Sequence, residues 1–345
     1  MRESTLHPSP LWGGAGGGGP MDRRSPHRAS LSLGHPPHQG EGNGLSGSRI
    51  PAMPRTAIDR ADARFGWMMA GPALAILFLV ILFPVFWALF TSVHDYTLIN
   101  PNFDSYTGAG NFRRALSDPE FRHSLGLTAF FVAAVVMLEF LLGFTVALML
   151  NTVERLKPVY YAILLCPLLM NPVVVGLIWR MFLHPSLGIV NYLLGLVGIA
   201  PVNWLGSTKV ALWTIVMVDI WHQVSFMVVL LLAGLSALPR EPYEAARVDG
   251  ANALQSFWHI TLPLMLPVIV VTLLIRLIFA VRTYDLIYIM TRGGPGVATD
   301  LVSYFIYRTA FVSLNIGEAS AMAIVLMAIV MALTAFLYRY MRSLT

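Results

Sequence analysis

The chain reads as an all-α membrane protein with six transmembrane helices, on three observations. Of its 345 residues, 56% are apolar and only 12% charged, against about 25% charged in a typical soluble protein. Mean hydropathy is +0.67. Six apolar stretches, about 67–91, 124–150, 158–182, 210–237, 262–291 and 315–338, alternate with more polar ones, and each exceeds the roughly 20 residues that cross a hydrocarbon core as a helix. Backbone amides find no water inside lipid, so runs of this length must be helical rather than open strands. A charge content this low argues against a soluble enzyme and makes membrane lipid the expected solvent. The 8 Trp and 12 Tyr suit the aromatic belts of two membrane interfaces.

Residues 1–50 hold 11 Gly, 6 Pro and 7 Ser. Such a composition buries too little apolar surface to offset the entropy of ordering, so 1–56 is expected to be a disordered tail and 57–345 the six-helix domain. The run after Arg2 lacks the apolar stretch of about 7–15 residues that a signal peptide needs, and Met21 and Met53 are alternative initiators. His7, His27, His35 and His38 read as loose tail histidines. The single cysteine, Cys166, excludes an intramolecular disulfide and a multi-Cys metal site; no metal or other cofactor is expected.

Arginine makes up 21 of the 23 basic residues, dispersed along the chain rather than blocked. The positive excess therefore speaks to sidedness and not to nucleic acid. With the N-terminus inside, 14 basic residues fall on the cytoplasmic side and 6 outside, which favours both termini being cytoplasmic. The first two outer segments, 92–123 and 183–209, are long enough for short surface helices at 111–117 and 190–196. The third stretch carries Pro167 and Pro172, and the fifth opens with Pro263 and Pro267. Each removes a backbone bond and kinks its helix, for packing or for function.

Between the fourth and fifth stretches, residues 239–263 are more than a connector. Pro239 and Pro242 mark a helix start, 243–248 form a turn or two, Gly250 permits a left-handed reversal and 251–260 resume. Tyr243, Ala246 and Leu254 give an apolar side; Glu241, Glu244, Arg247 and Asp249 give a charged one. A helix lying on lipid favours Lys and Arg on its polar face. Acids outnumber bases here, so a protein partner is expected.

The spacing Glu244-Ala245-Ala246, three residues, Gly250, nine residues, Ile260, one residue, Leu262-Pro263 resembles the EAA motif of ATP-binding-cassette (ABC) importer permeases at every motif position. The resemblance implies a type I ABC importer permease fold in the bacterial cytoplasmic (inner) membrane. It also implies that this segment, Asp249 included, is a cytoplasmic coupling helix that docks on an ATPase subunit. It extends over about 67–338, through 111–121 and Leu187-Gly-Ile-Val-Asn-Tyr192 in the outer loops. Arg292-Gly-Gly-Pro295 with Thr299, and Ile306-Tyr-Arg-Thr-Ala-Phe311, are similar to the carbohydrate branch typified by maltose and glycerol-3-phosphate permeases. Where that branch commonly has a small residue before Gly-Gly-Pro, this chain has Arg292. The implied partners are a second homologous permease, two ATP-binding subunits, an extracytoplasmic solute-binding protein and a sugar or polyol as solute. The residues agree independently: no GxxxxGK[ST] phosphate loop exists, and neither Lys157 nor Lys209 follows glycine. The chain is therefore not expected to be an enzyme, and ATP hydrolysis is expected in a partner.

Polar groups inside lipid are costly and face the bundle interior or a watery cavity. Asp219, His222, Gln223 and Phe226 fall at i, i+3, i+4 and i+7 on one face. Asn171 sits near mid-depth beside Pro172. The fifth stretch offers Arg276, Arg282, Tyr284 and Asp285, with Arg282 and Asp285 spaced to pair, and the second offers Glu139 alone. Of these, Asn171, Asp219, His222, Gln223, Phe226, Tyr284 and Asp285 are the candidate solute path. The competing reading is polar bonding between helices. Two other classes stand beside an ATP-driven permease: a secondary transporter moving protons through Glu139, Asp219 and His222, and an intramembrane enzyme, for which no nucleophile motif or HExxH pattern is present.

Overall fold

The computed structural model describes residues 55–153 and 155–342. The tail expected at 1–56 lies outside them except for Arg55 and Thr56, which already belong to a helix beginning at Arg55. The chain divides into two units, one ending at Arg64 and the other running from Phe65 onward; the bundle of apolar helices belongs to the second.

Long apolar helices form at α1 (Phe65–Ser92), α3 (Pro119–Thr152), α7 (Ala211–Ser236), α9 (Ala253–Met290) and α11 (Ile316–Arg339). Between α1 and α3 lies the short α2 (Gly110–Ser117). The third apolar stretch is not one kinked helix but two, α4 (Pro158–Leu168) and α5 (Pro172–Phe182), bent by 88°. Six crossings result if that pair counts as one. The break has a local cause. Proline at 167 and 172 withdraws two donors, and Asn171 starts a new helix by accepting a bond from the Val173 amide at 2.9 Å, with Pro172 in its first turn. Asp118 caps α3 in the same way, accepting from the Glu120 amide at 2.8 Å.

The α3 and α7 helices form the centre of the bundle. Phe131 and Val135 of α3 pack with Ile215 and Val218 of α7 and Ile287 of α9; nearer the other end Phe144 and Ala147 meet Met227, Leu231 and Met265. The close approach depends on Gly143, where an added Cβ would lie 2.7 Å from Met227 Cβ. Gly143→Ala is expected to push the helices apart and destabilise the bundle by about 1–3 kcal/mol; a lowered melting temperature in detergent checks this, and an unchanged one would contradict the packing. None of the apolar window of α1 is buried within the chain. A surface this apolar requires lipid or another subunit.

In the segments 92–123 and 183–209, α2 and α6 (Ile189–Leu196) form where short helices are expected, each pinned by a buried asparagine. Asn111 Nδ2 donates to the Ser92 and His94 carbonyls, both at 2.8 Å. Asn191 Nδ2 donates to the carbonyls of Pro185 and Val202, while its Oδ1 accepts from the Val202 amide and the Trp204 indole. The loop between α9 and α10 (Val302–Tyr307) gives position 292 a backbone conformation that glycine adopts without strain. Arg292 sits at φ 51° and Gly293 at φ 81°, a region that a side chain enters at a cost. The Arg292 guanidinium lies 6.0 Å from the Tyr288 ring centre, a cation–π contact that helps hold it there.

Candidate functional site

Three ionisable side chains meet inside the bundle. Arg276 of α9 donates through Nε and Nη2 to both oxygens of Glu139 on α3, the Nη2 bond measuring 2.8 Å, and Nη2 also reaches Asp219 Oδ2 on α7. Side-chain exposures are 1%, 0% and 5%. Glu139 is thus not alone, and the expected Arg282–Asp285 pair does not form: α9 is regular only to Val281 and resumes at Asp285, so the spacing that pairs residues on a continuous helix no longer applies.

This cluster borders a cavity of 220 Å³. Five of the seven solute-path candidates line it: Asp219, His222 and Gln223 from α7, Tyr284 and Asp285 from the broken end of α9. Arg276, Arg282, Phe279 and Thr283 join them. Thr283 lies in the break of α9, which no sequence signal marks, while Phe279 follows Arg276 by three residues on the regular part of the helix and so shares its side. The other two candidates stand elsewhere. Asn171 caps α5 and is exposed. Phe226 packs its ring against Phe279 at 5.8 Å instead of lining the cavity.

The α7 stripe also bonds helices. His222 Nδ1 receives Gln223 Nε2 at 3.1 Å, which leaves Nε2–H to donate to the Met170 carbonyl at 3.1 Å, in the break between α4 and α5. Ser225 Oγ donates to the Leu164 carbonyl. Asp219 and His222 therefore hold the bundle as well as line the cavity, and alanine at either is expected to disturb packing. Gln223, whose only side-chain hydrogen bond among the described residues is to His222, is the cleaner probe. Tyr284 adds a flat face, stacked on Tyr288 at 5.5 Å.

At the other end of α9 lies the helix–turn–helix read from residues 239–263. The first helix is α8 (Glu241–Val248), with Pro242 in its first turn and no buried residue. Tyr243 Oη and Thr261 Oγ1, 3.0 Å apart, tie it to the base of α9. Gly250 takes φ +79° with nothing within 4 Å of a notional Cβ, so backbone conformation, not space, requires glycine. Asn252 and Gln255 then cap each other reciprocally at 2.8 and 2.9 Å and start α9. Glu244, Ala245, Asp249 and Gly250 are exposed; Ala246 and Ile260 are half-buried and, with Asp249 and Gly250, edge a groove of 360 Å³. Leu262 and Pro263 follow in the first regular turn of α9. A cavity of 580 Å³, lined by Glu244 and Arg247 and by Asn151 and Ser236, separates α8 from the ends of α3 and α7.

Residues 139–344 match the family described as binding-protein-dependent transport system inner membrane component. Over 279 residues the chain is 39% identical to the trehalose/maltose transport system permease protein of Thermococcus litoralis, covering 79% of this chain and 92% of that one. It is 34% identical over 286 residues to the sulfoquinovosyl glycerol transport system permease protein of Agrobacterium fabrum, covering 83% and 93%. Its fold matches a chain of the bacterial alginate ABC transporter solved in complex with an alginate pentasaccharide-bound periplasmic protein, with TM-score 0.73 and 24% identity over 85% of this chain and 99% of that one. The chain therefore belongs to the binding-protein-dependent transport system inner membrane components. It is a multi-span transport permease with the type I ABC importer fold.

Proposed function

We propose that this chain is the permease subunit of an ATP-driven importer of sugars or related polyols, set in the bacterial cytoplasmic membrane with both termini inside. It works with a second homologous permease, two ATP-binding subunits and an extracytoplasmic solute-binding protein. The observation that carries the reading is the course of α9: its base is tied to the exposed α8, and the same element continues through Arg276 to Tyr284 and Asp285 at the cavity. Displacement of α8 by a docked ATPase thus reaches the solute-facing residues along one connected element. At 220 Å³ the cavity falls below the roughly 300–1,000 Å³ of a small-molecule site, which supports a second permease completing it. The names of the Thermococcus and Agrobacterium relatives support the solute class. A proton relay through Glu139 and Asp219 is the weaker reading, because Arg276 engages both carboxylates.

Gln223→Ala tests the solute site. Loss of one hydrogen bond to solute, about 0.5–1.5 kcal/mol, is expected to lower uptake several-fold at limiting solute while the complex still assembles. Unchanged uptake would remove Gln223 from the path.

A further inference from the structure

We infer that α6 lies in the membrane–water interface at the end of the bundle where α7 begins, with the stripe Ile189, Tyr192, Leu193 and Leu196 seated among lipid acyl chains. The four residues fall at i, i+3, i+4 and i+7, so they share one face, and each is between 51% and 67% exposed in the chain. The opposite face is fixed. Val190 packs against the core cluster that holds Leu183, Leu212 and Ile215. Asn191 uses its whole amide on the surrounding loop: Nδ2 donates to the Pro185 and Val202 carbonyls, and Oδ1 accepts from the Val202 amide and the Trp204 indole. Rotating α6 to hide its apolar stripe would break these bonds. The same loop sets the depth of the helix, because the Trp204 carbonyl accepts from Thr214 Oγ1 at 3.1 Å, in the first turn of α7. With 26 residues, α7 is about 39 Å long at about 1.5 Å per residue, more than the hydrocarbon core of about 30 Å. Its first turn therefore stands at the edge of that core, and α6, tied to the turn through Trp204, lies at the same level.

Lipid fits this face better than a protein does. Residues 185–208 contain no Asp, Glu, Lys or Arg, whereas a protein interface surrounds its apolar centre with a polar rim. On α6 itself the Tyr192 hydroxyl is the one side-chain polar group still open to a partner, since Asn191 is fully bonded. A tyrosine beside an apolar stripe suits the level of the lipid headgroups. The neighbouring elements present surfaces of the same kind: Val174, Leu177 and Met181 form an exposed apolar stripe on α5, and Trp213 and Met217 another at the start of α7. Without basic residues, α6 is held by apolar burial rather than by attraction to anionic headgroups.

Site-directed spin labelling tests this in the assembled complex, held in lipid nanodiscs whose two faces are both open to reagents. Ile189→Cys, Val190→Cys, Leu193→Cys and Leu196→Cys are made one at a time on a Cys166→Ala background, and that background alone serves to subtract label on partner subunits. Collisions of the nitroxide with dissolved oxygen, which concentrates among acyl chains, are compared with collisions with a water-soluble nickel chelate. The stripe residues are at least half exposed, so their variants are expected to assemble as wild type. At Ile189, Leu193 and Leu196 oxygen is expected to dominate several-fold, while at Val190 neither reagent reaches the label. Dominance of the nickel chelate along the stripe would place it in water, and exclusion of both reagents would place it beneath another subunit. Either result overturns the inference.

Discussion

Arg276→Met is expected to destabilise the bundle more than any other single substitution in it. The change leaves Glu139 and Asp219 facing each other, buried and without their shared cation. Breaking a buried ion pair by removing one partner costs about 3–5 kcal/mol, because the surviving charge keeps its desolvation penalty. The triple variant Arg276→Met, Glu139→Leu, Asp219→Asn removes the stranded charges as well, and is expected to recover most of the lost stability. Thermal unfolding of the complex in detergent distinguishes these outcomes. A single variant that melts like the wild type would mean that the three side chains do not meet. Recovered stability without recovered uptake in the triple variant would place the cluster on the solute path as well as in the framework.

The second large effect is expected at residues 239–263, proposed above to dock an ATPase. Glu244 is exposed, lines the open cavity between α8 and the ends of α3 and α7, and pairs with no described residue, which leaves its carboxylate free for an arginine or backbone amide of a docked ATPase. Truncating one partner of a charge pair that becomes buried on docking costs about 2–5 kcal/mol. Glu244→Ala is therefore expected to weaken co-purification of the ATPase, or to leave ATP turnover running without uptake, while the permease still inserts in the membrane. Gly250 acts through a different physical route. At φ +79° a β-branched residue is strained by about 1–2 kcal/mol, so Gly250→Val is expected to rotate α8 away from its docking position. Gly250→Asn, which tolerates that conformation, is expected to behave nearly as wild type. Equal effects of Val and Asn would show that lost space rather than backbone strain is responsible, contrary to the open surroundings of Gly250.

Much of this was legible in the sequence, and the reasons differ by element. The apolar stretches announced the spans because lipid leaves the backbone no other choice, and 239–263 announced a helix–turn–helix through its prolines, its glycine and its two-sided polarity. The break in the third stretch was legible only in part. Pro167 and Pro172 read as kinks, yet Asn171 directly before Pro172 is itself a helix-start signal and accounts for a full restart. The ion cluster was hidden because Glu139, Asp219 and Arg276 lie on three helices, and spacing along one helix says nothing about which faces of three will converge. The pairing expected of Arg282 and Asp285 failed for a related reason: it assumed a helix that in fact breaks between them. Of the four residues in the α7 stripe, Asp219, His222 and Gln223 line one cavity, whereas Phe226 packs on Phe279 instead. What spacing did not reveal is that two of them also bond neighbouring elements.

The central claim is that ATP hydrolysis in a partner subunit, delivered through α8 and α9, drives solute through this chain. Sugar uptake into liposomes holding the full assembly, with solute-binding protein outside and ATP enclosed, tests it most directly when both ATP and an imposed proton gradient are varied independently. The account predicts uptake that requires enclosed ATP, persists with the gradient collapsed and is lost in Glu244→Ala. Uptake that follows the proton gradient without ATP would contradict it, and would return Glu139, Asp219 and His222 to the role of a proton path.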